Sequence, residues 1–208
     1  MEDVHILALA GLSCSGKTTV ARLIARLTGA PLLPLDDYYL PLTEFTLAER
    51  HRANFDDPAI YDHELLRSHL LALRSGSVIE KPTYDFVEFT RGPERVRVEP
   101  HPLIILEGQY AFFWPEVGHL CDTKIFLQAE PSLCLERRLA RDIGERGRDA
   151  DEVHWRFSRH VLPMYERHVL PMAEEGLTVT VAGLEPTEIA DRILELMRSS
   201  RIASWQTN

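Results

Sequence analysis

Cysteine is scarce in this chain, with only Cys14, Cys121 and Cys134 among 208 residues. An odd number without CxxC or Cys/His ligand spacing speaks against a disulfide framework and a zinc site, and predicts free thiols in a reducing compartment. Long apolar runs are missing as well. The opening segment "VHILALA" spans seven residues, nothing reaches the ~18 that a membrane span needs, and no basic leader precedes it. A cytoplasmic protein with no membrane partner is therefore expected. Basic charge is also short: 23 Lys and Arg face 32 Asp and Glu, for a net charge of −9. That balance suits a nucleic-acid backbone poorly, so no nucleic-acid partner is expected. Nine histidines are present, but no two make an HxxxH or HExxH pair, and no histidine metal centre is predicted.

What the sequence does have is concentrated near its start. Gly11 to Thr18, "GLSCSGKT", satisfies G-x-x-x-x-G-K-[ST], with Thr19 next. Before it, Val4–Ala10 is apolar apart from His5 and reads as a buried parallel strand. After it, Val20, Leu23, Ile24 and Leu27 recur at helical spacing up to a stop at Gly29. That strand–loop–helix setting gives the motif its meaning. Small residues let backbone N–H groups turn inward around phosphates, and the helix N-terminus adds unpaired amides. Gly11, Ser13, Cys14, Ser15, Gly16, Lys17, Thr18 and Thr19 are expected to cradle a nucleoside triphosphate, with Lys17 on the outer phosphates and the Thr18 hydroxyl on Mg2+.

The rest of the chain alternates strand and helix patterns. "APLLPLDD" is a short second strand ending at Asp36 and Asp37, and Leu65, Leu66, Leu70 and Leu73 mark an amphipathic helix. Residues 77–98 alternate, carry aromatic and β-branched residues and break at "RGPE", which predicts a β-hairpin turning there. "PLIILEG", "TKIFLQA" and "LTVTVAG" read as further strands, a helix opens at Pro131, and residues 151–170 look helical but interrupted by Pro163. The pattern predicts an α/β fold: a five-stranded parallel sheet flanked by helices, with the hairpin as an insertion. One domain is expected over 1–202, with a frayed tail over 203–208.

Other motifs narrow the class. The Asn-Lys-x-Asp stretch of a GTPase is absent, and so is the Asp-Glu pair that closes a strand in many motor ATPases. Instead "LIILEG" closes with Glu107, a carboxylate suited to Mg2+ directly or through water. Ligands bind beyond the carboxyl ends of parallel strands, so Asp36 and Asp37 are placed to face a bound phosphate. One of them would take the proton of an acceptor hydroxyl, and the other would cap a helix or bind water. Arg137, Arg138, Arg141, Arg146 and Arg148 crowd into twelve residues, interleaved with Glu136, Asp142, Glu145 and Asp149. The pattern fits a salt-bridged surface helix as well as an anion-facing one.

The motifs "GLSCSGKTT", "LPLDDYY", "NFDDPAIYD", "PTYDFVEFTR", "LEGQYAFF" and "RRLARDIGERGRD" occur in the order found in uridine–cytidine kinases. Over about residues 4–170 the chain resembles that family, within the phosphoribulokinase/uridine kinase group of P-loop kinases. The resemblance implies a P-loop kinase fold with an arginine-rich lid at about 141–156, ATP and Mg2+ as cofactors, and a pyrimidine ribonucleoside as acceptor. It implies Asp36 as general base, near the metal served by Thr18 and Glu107. It implies Asp56 on the ribose hydroxyls, Phe55, Tyr84 and Phe86 around the base, and Arg138 reaching the nucleoside. Arg141, Arg146 and Arg148 would lie near the phosphates, and a homo-oligomer is common in the family. Two positions depart from the pattern. Phe89 stands where the family carries a base-reading histidine, removing a donor worth about 1–3 kcal/mol when its partner is left unpaired. Glu88 beside it is a candidate replacement. Arg156 and Phe157 replace a Gln-Tyr pair, so a ribose contact is lost or remade by Arg156. "VLPMYERHVLPM" is similar to a segment of nicotinamide riboside kinases. The alternatives are a kinase for another small alcohol and a nucleotide-binding regulator without turnover.

Overall fold

A computed structural model describes residues 4–199. The expected frayed tail and the expected domain end at 202 lie outside the described residues. Along the chain, β1 (His5–Ala10) leads into α1 (Lys17–Thr28), β2 (Leu32–Pro34), α2 (Leu47–Arg52) and α3 (His63–Arg74). The hairpin β3 (Ile79–Asp85) and β4 (Thr90–Val98) follows, then β5 (Leu103–Glu107), α4 (Pro115–Gly118) and β6 (Thr123–Gln128). The chain continues through α5 (Pro131–Arg146), α6 (Ala150–Arg156), the short α7 (Leu162–Met164), β7 (Leu177–Thr180) and α8 (Pro186–Ser199).

Five strands form one sheet in the order β2-β5-β1-β6-β7, every pair parallel. β1 and β5 are buried along their whole lengths, as a sheet covered on both faces requires. The expected five-stranded parallel α/β architecture is therefore present. Register decides what the sheet can hold. Glu107 stands opposite Leu9 on one side and Pro34 on the other. The carboxyl ends of β1, β2 and β5 thus reach one edge together, where a parallel sheet opens its crevice.

Three local expectations are corrected. In α1 the buried stripe is Lys17, Val20, Ala21 and Ile24, while Leu27 is 55% exposed; the helical spacing 17, 20, 21, 24 carries the contact line through Ala21 and past Leu27. The hairpin turns at Phe86–Phe89, not at "RGPE". The Asp85 carboxylate accepts from Val87 N at 2.8 Å and Glu88 N at 3.0 Å, and this local bonding fixes the turn. Arg91–Glu94 instead lie inside β4 beside a register shift between Pro82 and Tyr84, where Gly92 and Pro93 suit a bulge. Finally, Pro163 does not interrupt the helical path. Wide turns at Phe157–Val161 and Tyr165–Val169 flank α7, with Leu162 N bonded to Phe157 O five residues back. Such widened turns accommodate a residue with no N–H.

Gly108 lets the end of β5 pass beneath the end of β2. A Cβ there would lie 2.3 Å from the Leu35 Cβ, next to Asp36. Gly108→Ala is expected to lower stability by about 1–3 kcal/mol through overpacking. Gly144→Ala, in a helix and with nothing within 4 Å, should stabilise by roughly 0.5 kcal/mol. Urea unfolding midpoints that moved in the same direction for both would contradict this packing.

Candidate active site

The loop after β1 turns through left-handed residues, Cys14 at φ 65° and Gly16 at φ 105°, before α1 begins at Lys17. The Lys17 ammonium is buried and donates to Leu12 O at 2.8 Å. Burial lowers its pKa, with Glu107 pulling the other way. The Thr18 hydroxyl donates to both Glu107 carboxylate oxygens, at 3.0 and 3.2 Å. Glu107 is 6% exposed; burial, then the nearby Asp36 charge, push its pKa up to about 7, against Lys17 and Thr18. Burial likewise raises Asp36, opposed by Lys17, Arg146 and Arg141.

Asp37 pairs with Lys81 of β3 and, like Asp36, lines the larger of the two cavities at this edge. β2 continues into a single 3-10 turn, Leu35–Tyr38, which rotates successive side chains by about 120°. Asp36 therefore faces the sheet end and Asp37 the hairpin. The hairpin is further tied down by Arg91, whose Nε donates to Tyr39 O at 2.8 Å and Nη2 to Asp62 at 2.9 Å.

Two cavities meet at this point. The inner one, about 120 Å³, is lined by Phe55, Asp56, Tyr84, Phe86 and Phe89, with Ser13, Tyr39, Gln109, Arg138, Arg148 and Arg156. The outer one, about 790 Å³, is lined by Ser15, Gly16, Thr19 and Arg137, with Val181, Leu184, Pro186 and Ile189. Lys17, Thr18, Asp36, Glu107, Arg141 and Arg146 line both, as do Cys14 and Phe86. Of the residues expected from sequence, Gly11 lines neither. A Cβ on it would lie 2.4 Å from Leu127 O, so it serves close packing against β6. Sequence reasoning missed Gln109 and the outer wall of Arg137 and Val181–Ile189. The wall had a signal, since Val181 follows β7 at the carboxyl edge of the sheet.

The inner chamber is aromatic at one end. Phe55 and Phe89 stack at 5.5 Å, and Tyr84 meets Phe86 edge-on at 5.1 Å. Phe89 sits at φ 50°, the last residue of the turn that Asp85 holds. Glu88 is exposed and does not line the cavity, so it does not replace the missing histidine. Tyr110 Oη donates to Asp56 O at 2.5 Å and Asp56 N donates to Asn54 Oδ1 at 3.1 Å. This fixes the Asp56 backbone and leaves its carboxylate without a protein partner among the described residues. Arg156 is held by Glu152 at 2.7 Å and by the His51 carbonyl at 2.7 Å.

The arginines converge on one fully buried carboxylate. Asp142 lies 3.4 Å from Arg138, 2.8 Å from Arg141, 3.6 Å from Arg146 and 3.1 Å from Arg148. Burial alone would raise the Asp142 pKa; Arg141 and Arg138 override that and hold it low. Asp142 alone thus pairs with four guanidiniums, and Asp36 also acts electrostatically on Arg141 and Arg146. Arg146 also lies over the Phe86 ring, 4.8 Å from its centre. The donor set fits Mg2+ and a triphosphate. It has a hydroxyl and carboxylates as hard oxygen ligands and a positive-φ amide loop. No group of three His, Cys, Asp or Glu able to hold a metal occurs among the described residues.

Residues 6–182 match the Phosphoribulokinase / Uridine kinase family. The chain belongs to this family. Among family relatives, it is 41% identical to the uridine kinase of Halobacterium salinarum over 162 residues, 77% of this chain and 72% of that protein. It is also 41% identical to the uridine kinase of Mycoplasma pneumoniae, covering 77% of each. The solved phosphoribulokinase of Rhodobacter spheroides shares the fold at TM-score 0.63 and 15% identity, covering 86% of this chain and 71% of that one. The family member described here is a kinase with the P-loop kinase fold. No helix among its described residues is long and apolar enough to cross a membrane.

Asp142→Asn should cost about 3 kcal/mol of stability at neutral pH, because it strands four guanidiniums around a neutral amide. Since the folded Asp142 pKa lies below the ordinary 3.8, the wild-type advantage is complete above that value and shrinks as pH falls through the lower folded one. Urea unfolding from pH 3 to pH 7 checks this; a gap that widened towards acid would refute it.

Proposed function

We propose that this protein transfers a phosphoryl group from ATP to the 5′-hydroxyl of a pyrimidine ribonucleoside, uridine or cytidine, giving UMP or CMP. The observation that carries the reading is the junction of two chambers at Lys17, Thr18, Asp36, Glu107, Arg141 and Arg146. Phosphoryl transfer needs such a junction: a donor on one side, an alcohol on the other, and cations and a base between them. The 41% identity to two uridine kinases supports a nucleoside as that alcohol.

In this reading Lys17 and the amides of the 11–19 loop hold the phosphates, and the apolar wall at Val181–Ile189 with Arg137 receives the purine. Thr18 and Glu107 serve Mg2+ directly or through water, with Asp36 nearby. When bound, Mg2+ supplies charge neutralisation at the phosphate oxygens. Asp36 orients the acceptor hydroxyl and takes its proton; its raised pKa makes it a stronger base than an exposed carboxylate. Asp56 accepts from the two vicinal ribose hydroxyls, and the base lies among Phe55, Tyr84, Phe86 and Phe89. Arg138 and Arg156 border the nucleoside, while Arg141, Arg146 and Arg148 offset charge on the moving phosphoryl group. A cytoplasmic enzyme fits the free thiols and the small-molecule substrates.

Phe89 favours keeping a second acceptor class in view, because a wall that stacks without a fixed donor also suits other flat rings, such as that of nicotinamide riboside. ADP release with Mg-ATP and one acceptor at a time is the test. Cytidine or uridine should turn over, and turnover of nicotinamide riboside alone would overturn the pyrimidine assignment. Asp36→Asn should lower kcat by about 100-fold or more while ATP affinity stays within a few-fold. Undiminished turnover in that variant would remove Asp36 from the role of base.

A further inference from the structure

Gln109 directly follows the Glu107-Gly108 pair and is half-buried in the wall of the inner chamber. Its carboxamide is nearly unengaged. Nε2 reaches only the Tyr61 hydroxyl, at 3.5 Å, the outer limit of a hydrogen bond. That hydroxyl already donates to Tyr39 at 2.8 Å, and Gln109 Oε1 has no partner among the described residues. An idle amide beside an aromatic chamber is costly to desolvate unless a ligand completes it.

The neighbouring polar groups are committed or of the wrong kind. The Tyr39 hydroxyl donates to Phe55 O at 3.1 Å, Ser13 Oγ accepts from Arg138 at 3.3 Å, and Arg156 is occupied by Glu152 and His51. Asp56 is an acceptor only, and Phe55 and Phe89 offer faces without a polar edge. The Tyr84 hydroxyl is buried and unpartnered, but it is a single group. A carboxamide alone presents a donor and an acceptor side by side.

We propose that Gln109 determines acceptor specificity by reading the polar edge of the base, supplying the recognition that Phe89 does not. This rests on the nucleoside reading above. A carboxamide can rotate to exchange its donor and acceptor. It therefore matches uridine, with a ring N–H beside a carbonyl, and equally cytidine, with a bare ring nitrogen beside an amino group. A carboxylate at the same place accepts only. With either base it keeps one donor as a partner, the cytidine amino group or the uridine ring N–H, and turns its other oxygen toward an acceptor, the bare cytidine ring nitrogen or the uridine carbonyl.

The experiment compares wild type, Gln109→Leu and Gln109→Glu with cytidine and with uridine, reading kcat and KM for nucleoside and for ATP. Gln109→Leu should raise both nucleoside KM values about tenfold or more, with ATP KM unchanged. Gln109→Glu should likewise raise both nucleoside KM values about tenfold or more, with ATP KM unchanged, a nucleoside-specific change that a merely structural role would not produce. Nucleoside KM values within twofold of wild type in the Glu variant would overturn the proposal. If Gln109→Leu fails to fold, the near-isosteric Gln109→Glu carries the test alone. Failure of the wild type itself on both nucleosides would instead overturn the nucleoside reading, and the inference with it.

Discussion

Everything at the reactive edge depends on one register: Glu107 sits between Leu9 and Pro34 in adjacent parallel strands. Three strands therefore end level. The phosphate-type loop leaves β1 beside the carboxylate that ends β5, and the turn carrying Asp36 leaves β2 on the other side. A slip of one residue in β5 would turn Glu107 to the opposite face of the sheet and break its bonds to Thr18. Gly108 reinforces the alignment, because only a residue without a side chain lets Leu35 lie so close above it.

The second organising feature is charge held where the overall composition would not suggest it. The chain carries a net −9, yet its cleft is rimmed by arginines that outnumber their one buried carboxylate. Acidic residues elsewhere do not cancel this locally, since exposed charges beyond a Debye length are largely screened. Burial raises the pKa of Asp36 and Glu107 and lowers that of Lys17. All three shifts oppose ionisation in an empty cleft, and bound phosphates would ease the one at Lys17.

Much of this was legible in the sequence because the signals were local. The loop motif, the buried strands and the Pro131 helix start depend on neighbours within a few residues. Asp36, Glu107, Asp56, Arg138, Arg141, Arg146 and Arg148 all line the inner chamber, because strand ends and motif order specify that edge. What sequence reading lost was set by tertiary partners. Asp37 took Lys81 of the hairpin as its partner, and the turn moved from "RGPE" to Phe86–Phe89 because Asp85 bonded its own following amides. Leu27 lies past the contact line that runs through Ala21. Asp142 was visible only as one acid among many basic residues. Its burial, which makes it the centre of the cluster, has no signature in a charge pattern.

That burial has a further consequence. Asp142 shares α5 with Arg138, Arg141 and Arg146, and Arg148 follows just beyond the helix cap at Gly147. The ion network is therefore closed within the stretch 138–148, with no member borrowed from the sheet or the hairpin. Whatever displacement this segment undergoes, it carries its own counter-charge with it. The guanidiniums are held in position by Asp142, without help from a ligand.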